Sequence, residues 1–182
     1  MKTLSGLGLP TGRRVSLAEQ GALAQKASPG LRTEKATSAG GVVYRQGPQG
    51  MEVVICGRVE DDLWGLPKGA PEPGEDLPTA AAREVKEETG LEVAVQDRIG
   101  SIRYWFARKE EGVRYNKTVH HFLFVPTGGS LADHDHEYDR VEWRPVEDAC
   151  RLLTYPNEVG VVRKAAAMVA RLAPPSREGG EG

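Results

Sequence analysis

From Thr37 onward, short apolar runs alternate with turn residues along the chain. Ser38-Ala39-Gly40-Gly41-Val42-Val43-Tyr44-Arg45 reads as a strand, Gly47-Pro48-Gln49-Gly50 as a turn, and Glu52 to Arg58 as a second strand. Further strands are predicted over Leu91 to Val95, Arg98 to Phe106 and Thr118 to Val125, the last with alternation blurred enough to imply burial on both faces. A short strand over Tyr138 to Trp143 precedes a helix over Pro145 to Leu153. Glu158 to Leu172 reads as another helix, with Val159, Val162, Ala166, Val169 and Ala170 near helical spacing. Between the second and third strands lies Gly69 to Leu91, where the turn residues Pro71, Pro73 and Gly74 give way to Asp76 and Thr79, candidate helix caps. An alanine-rich helix follows and stops at Gly90. Strands around a central helix, then more strands and helices, predict an α/β domain with a mixed sheet between helical layers.

The ends carry no such pattern. Residues 1–36, rich in Gly, Ser, Ala and Pro, are expected as a flexible N-terminal extension. Within it, Ser16-Leu17-Ala18-Glu19 has capping-box spacing and predicts a short helix through Lys26. The domain is expected over 37–173, and 174–182, rich in Pro, Gly and Glu, as a mobile tail. A chain of 182 residues suits one such domain.

Charge changes this picture little. Lys+Arg 24 against Asp+Glu 26 leaves a net −2, which argues against a general binder of nucleic acid or membrane surfaces. Cys56 and Cys150 lack metal-type spacing, and free thiols suit a reducing, cytoplasmic setting. No apolar run has the length of a membrane span, and the N-terminus lacks the apolar core of a secretory leader.

Chemistry concentrates on the predicted central helix. Residues three and four apart share a helix face, so Glu84, Glu87 and Glu88 project side by side. Three carboxylates there repel one another unless a cation sits among them, and hard divalent ions prefer oxygen ligands. Gly69, Glu75, Arg83, Glu84, Val85, Glu87, Glu88, Gly90 and Leu91 match every specified position of the Nudix box, so the stretch resembles that family. The resemblance implies a Nudix-type α/β/α sandwich with a central mixed sheet and a pyrophosphohydrolase using Mg2+ or Mn2+. Glu84, Glu87 and Glu88 are then the metal ligands, together with the Gly69 carbonyl. Arg83 is expected to pair with Glu87 or with Glu75 and so fix the carboxylates. The general base is a box glutamate, Glu84 or Glu87, or an acid from a later loop, for which Glu137 is the candidate. The neighbouring Asp133 to His136, alternating acids and histidines, reads as a solvated loop.

Substrate class must come from outside the box. Trp64-Gly65-Leu66-Pro67-Lys68-Gly69 followed by Glu72-Pro73-Gly74-Glu75 resembles diadenosine polyphosphate and diphosphoinositol polyphosphate hydrolases. Arg103-Tyr104 and Lys117-Thr118-Val119-His120-His121-Phe122-Leu123 are similar to the bacterial diadenosine polyphosphate hydrolases. Lys68, Arg103 and Lys117 can neutralise phosphates, and Tyr104 or Tyr115 can stack on adenine. Trp105 and Phe106 are expected in the core. Of His120 and His121 one faces inward, as a hydrogen-bonded core histidine. The expected substrate is thus a small-molecule dinucleoside polyphosphate of the diadenosine tetra- to hexaphosphate type, with ATP or a shorter nucleotide released, by a monomer or homodimer. Alternatives are hydrolysis of diphosphoinositol polyphosphates or of other nucleoside diphosphate-linked compounds, including oxidised nucleotides. A non-catalytic nucleotide-binding regulator is the reading from another class.

Overall fold

The computed structural model describes residues 31–172. Its elements in chain order are β1 (Arg32–Gly47), β2 (Gly50–Arg58), β3 (Leu63–Gly65), β4 (Lys68–Gly69), α1 (Leu77–Thr89), β5 (Leu91–Arg108), β6 (Val113–Gly129), a 3-10 turn (Leu131–Asp133), β7 (Arg140–Pro145), α2 (Val146–Leu152) and α3 (Pro156–Leu172). The helix expected from Ser16 and the tail from 174 lie outside the described residues.

Seven strands form the sheet in the order β3-β2-β1-β6-β5, with β4 added to β1 and β7 to β2. β1 and β6 run parallel from Arg32↔Val113 to Val43↔Phe124, whereas the other pairings are antiparallel, so the sheet is mixed. Apolar residues on both faces of the central strands require a cover on each side. Ala39, Val43, Phe122 and Phe124 pack with Ala80, Ala81 and Val85 of α1. Val42, Ile55 and Leu123 pack on the other face with Ala149 of α2 and Val161, Val162, Ala165 and Val169 of α3. Each fully buried Val or Leu contributes about 1.5–3 kcal/mol of transfer free energy, and this double burial holds the three layers of an α/β/α sandwich together.

Several expected boundaries move. β1 begins at Arg32, so the extension expected over 1–36 runs into the sheet: Arg32 to Thr37 pairs residue by residue with Val113 to Thr118. The polar composition of Arg32 to Thr37 hid a strand whose partners supply its backbone bonds. Leu91–Arg108 is one strand rather than two; register shifts at Glu92/Val93, Val95/Asp97 and Arg98/Gly100 bend it without ending it. β7 lies two residues later than expected. Together β1, β5 and β6 run on past β4 as a three-stranded ribbon, its turn closed at Gly112.

Candidate functional site

Local sequence sets α1 in place. Asp76 caps it, its carboxylate accepting from the Thr79 amide at 2.9 Å, and Pro78 sits in the first turn where no helical N–H is needed. Gly90, at φ 73°, ends the helix in the left-handed region and its amide donates to the Lys86 carbonyl. The same residue's Cα lies against Ser130, where a Cβ would come within 2.2 Å of the carbonyl oxygen.

One guanidinium organises the acids that this helix presents. Arg83 donates through Nε and Nη2 to the two Glu75 oxygens at 3.0 and 2.9 Å, a bidentate pair. Its Nη1 reaches Glu84 at 2.8 Å and Glu87 at 3.1 Å, and its Nη2 reaches the Ala70 carbonyl at 3.1 Å. Both expected partners of Arg83 are therefore present, with Glu84 as a third. The Arg83 bond holds Glu75 below the usual carboxylate range, and the Glu72 amide adds to it. Glu84 lies against the backbone of Gly69: a Cβ there would fall 1.9 Å from Glu84 Oε2. Burial raises the Glu84 pKa against the pull of Arg83.

Glu88 differs from its neighbours. It is 2% exposed, accepts the Lys68 amide at 2.9 Å, and burial pushes its pKa up to about 8. A cation taken up there would displace a proton near neutral pH. Among the described residues no three His, Cys, Asp or Glu side chains stand close enough to enclose an ion. Arg83 spans Glu84 and Glu87, and the Lys68 amide engages Glu88. The donor set nevertheless fits a hard divalent cation: Glu84, Glu87, Glu88 and the adjoining Gly69 carbonyl offer oxygen only.

Lys68 and Gly69 point to opposite faces of the sheet. Gly69 pairs with Ala39, whose side chain is in the α1 core, while Lys68 pairs with Gly40. The Lys68 side chain thus leaves toward α3, where Nζ donates to the Leu66 carbonyl at 3.4 Å and stands 3.8 Å from Glu158 Oε1. Glu158 is 2% exposed, accepts the Leu66 amide at 3.3 Å, and has its pKa raised by burial. Tyr104 and Lys117 face each other across β5 and β6 on this same side, both half-buried. Burial, with the charges of Lys68 and Arg108, draws the Lys117 pKa below the ordinary lysine value. His121 lies fully buried there, in the inward place expected for one of the two histidines, and the Val119 backbone is the hydrogen-bonding group nearest its ring. Burial and then the Lys68 charge push its pKa down to about 4.

The remaining expected residues scatter. Glu137 sits in the loop after the 3-10 turn, paired with Arg58 Nη2 at 2.7 Å, and Asp135 of that loop donates its amide to the Glu87 carbonyl at 2.9 Å. That loop is therefore anchored to the end of α1. Tyr115 stacks on Phe106 at 5.1 Å and donates to Glu111 at 3.1 Å, which commits it to the ribbon. Arg103, next to Tyr104 in a strand, faces the other way, on the α1 side. Trp105, expected in the core, is 47% exposed with the Arg114 guanidinium 4.3 Å above its ring. Its strand has run beyond the edge of α1, and among the described residues no helix covers it.

Glu158 was missed in the sequence. Its signal was there: Glu158, Val161, Val162, Ala165 and Val169 form the buried stripe of α3, and an acid on an apolar stripe needs a partner.

Sheet, helical layers and a helix of carboxylates set against a glycine define an α/β/α domain with several carboxylate oxygens gathered on one helix. The model of the NUDIX domain family matches residues 34–165, and the chain belongs to the Nudix family. It is 39% identical over 154 residues to a Mycobacterium tuberculosis protein with the provisional name mutator protein MutT4, covering 81% of this chain and 61% of that one. It is 34% identical over 136 residues to the 8-oxo-(d)GTP phosphatase of Mycolicibacterium smegmatis, covering 70% of this chain. The chain spans 61% and 40% of the lengths of these two relatives. The crystal structure of Caenorhabditis elegans Ap4A hydrolase superposes with a TM-score of 0.56 at 25% identity, covering 77% of this chain and 100% of that one. Among the described residues no helix is long and apolar enough to cross a membrane.

Proposed function

We propose that this protein is a divalent-metal-dependent pyrophosphohydrolase of nucleoside polyphosphates, with dinucleoside polyphosphates of the diadenosine tetra- to hexaphosphate type as the finer assignment. The observation that carries the hydrolase reading is the Glu84 carboxylate seated against Gly69 while one guanidinium, Arg83, ties Glu75, Glu84 and Glu87. Glu84, Glu87, Glu88 and the Gly69 carbonyl would hold Mg2+ or Mn2+. Bound there, such an ion neutralises phosphate charge and acidifies water.

The reaction replaces one bond. Water oxygen bonds to a phosphorus, the anhydride P–O bond breaks, and the bridging oxygen leaves with the departing phosphate. The water proton goes to a carboxylate at the opening, Glu84, Glu87 or Glu137. Lys68 and Lys117 neutralise phosphates beyond the bond that breaks, and Tyr104 offers a ring to a base. A half-buried cation pair beside an aromatic suits a substrate with more phosphates than a triphosphate has. This is what supports the dinucleotide assignment.

A second reading, hydrolysis of oxidised guanine nucleotides, is supported by the name of the M. smegmatis relative at 34% identity. Turnover of diadenosine tetraphosphate, diphosphoinositol polyphosphate and 8-oxo-dGTP in H2(18)O, with mass analysis of products, separates these readings. The dinucleotide assignment requires the highest kcat/KM on diadenosine tetraphosphate, and a preference for 8-oxo-dGTP overturns it. No turnover of any pyrophosphate substrate with Mg2+ or Mn2+ overturns the hydrolase reading in favour of a nucleotide-binding regulator.

A further inference from the structure

Strand alternation sorts the ribbon beyond β4 into two unlike faces. On the α1 side lie Thr33, Lys35 and Thr37 of β1, Arg114, Asn116 and Thr118 of β6, and Arg103, Trp105 and Ala107 of β5. The 4.3 Å contact of Arg114 with the Trp105 ring fixes two of these on one side directly. Three cations and no acid share this face. Among the described residues none of Lys35, Arg103 and Arg114 takes part in an ion pair, whereas Arg32 and Arg108 are paired with Glu34 and Glu111. The face also begins at the carboxylates: Ala39, the register partner of Gly69, is on it, and Lys35 follows about 13 Å along β1 at ordinary strand rise.

We propose that this face is a second nucleotide subsite, which takes the half of a dinucleoside polyphosphate that lies away from Tyr104 and Lys117. The inference rests on the dinucleotide reading above. Arg103 and Lys35 neutralise phosphates running outward from the acids on α1. The base lies on Trp105, an exposed ring with the Arg114 guanidinium already over it, and a π-face with a neighbouring cation accepts any base. The complementarity is of charge and of surface. An acid-free strip repels no phosphate, and an indole 47% exposed gains by being covered. A mononucleotide fills one subsite and leaves this one empty.

The test compares two substrates on one set of variants. With Trp105→Ala the ratio of KM for diadenosine tetraphosphate to KM for a mononucleoside triphosphate rises about tenfold, the value of one stacked base, and with Arg103→Ala it rises by a similar factor of about ten, the value of one charge-assisted contact to phosphate. Trp105→Phe, which keeps a ring, returns most of that ratio, and a residue needed only for folding would move both KM values together. An unchanged ratio in both alanine variants, in a wild type that hydrolyses diadenosine tetraphosphate, overturns the subsite alone. A wild type that turns over mononucleotides but not diadenosine tetraphosphate overturns the dinucleotide reading and the subsite with it.

Discussion

The two sides of β4 handle charge in opposite ways. On the α1 side, acids are in excess and one guanidinium holds three of them in place, with Glu87 and part of Glu84 open to solvent. On the α3 side, Lys68 and Glu158 are paired at 3.8 Å over a fully buried His121. Low dielectric strengthens every interaction there and makes each unpaired group costly. The first side offers oxygen donors that the proposed function assigns to a cation, and the second already contains the lysine ammonium of Lys68. On the function proposed above, a substrate rich in phosphate would touch both, and single changes on the two sides should then fail differently.

The largest effect belongs to Gly69→Ala. Its Cβ cannot coexist with the Glu84 carboxylate, which must swing away, and because that group is the end of a flexible side chain the fold survives. We expect kcat/KM to fall about 10²–10³-fold, the scale of a misplaced charge-stabilising group, with the far-UV circular dichroism unchanged. Activity within a few-fold of wild type would mean that Glu84 need not lie against Gly69.

Next comes His121→Leu, which probes the dry side. The ordinary histidine value of 6.5 and the folded value of about 4 leave a gap in which the unfolded chain takes up a proton and the folded chain does not. The contribution is therefore complete above about pH 6.5 and lost as pH falls toward 4, worth about 3 kcal/mol at the acid end. Urea unfolding of both proteins at pH 7 and pH 4.5 should show the wild type losing more stability than the variant by most of that amount. Parallel losses would place His121 in contact with water.

Arg83→Lys tests the organising role of the fork. A lysine keeps the charge but cannot hold Glu75 with two donors while also reaching Glu84 and Glu87. The metal concentration for half-maximal activity should rise about 10–100-fold, with KM for the nucleotide little changed. An unchanged metal requirement would reduce Arg83 to a stabiliser of the loop at Glu75.

How much of each side was legible follows from the range of its contacts. Glu84, Glu87, Glu88 and Arg83 belong to one helix, so fixed chemistry leaves a fixed spacing in the sequence. Glu158 holds the Leu66 amide from 92 positions away, and no local pattern records such a partner. Its place on the apolar stripe of α3 was the trace available. Tyr104 and Arg103 read as one motif because they are adjacent, yet adjacency in a strand is what sends them to opposite faces. Trp105 read as core because composition cannot say where α1 stops covering β5. The sheet order and the parallel β1–β6 pairing required the structure, since polar residues from Arg32 to Thr37 carry no strand signal of their own.

The smallest predicted effect is the most specific to the α3 side. Burial together with the charges of Lys68 and Arg108 lowers the Lys117 pKa, so its ammonium is lost at a lower pH than that of an ordinary lysine. KM for a polyphosphate should then climb as pH rises through that lowered value, because a neutral amine no longer offsets phosphate charge. Lys117→Arg keeps a cation at all accessible pH values. At neutral pH its KM should stay within about fivefold of wild type, as for a partly exposed ion contact, while the alkaline rise moves to higher pH. The acid side of the profile, set by the carboxylates on α1, should not move. If wild type and variant share the same alkaline limb, Lys117 is not the cation that phosphate meets, and Lys68, held by Glu158, carries that side of the site alone.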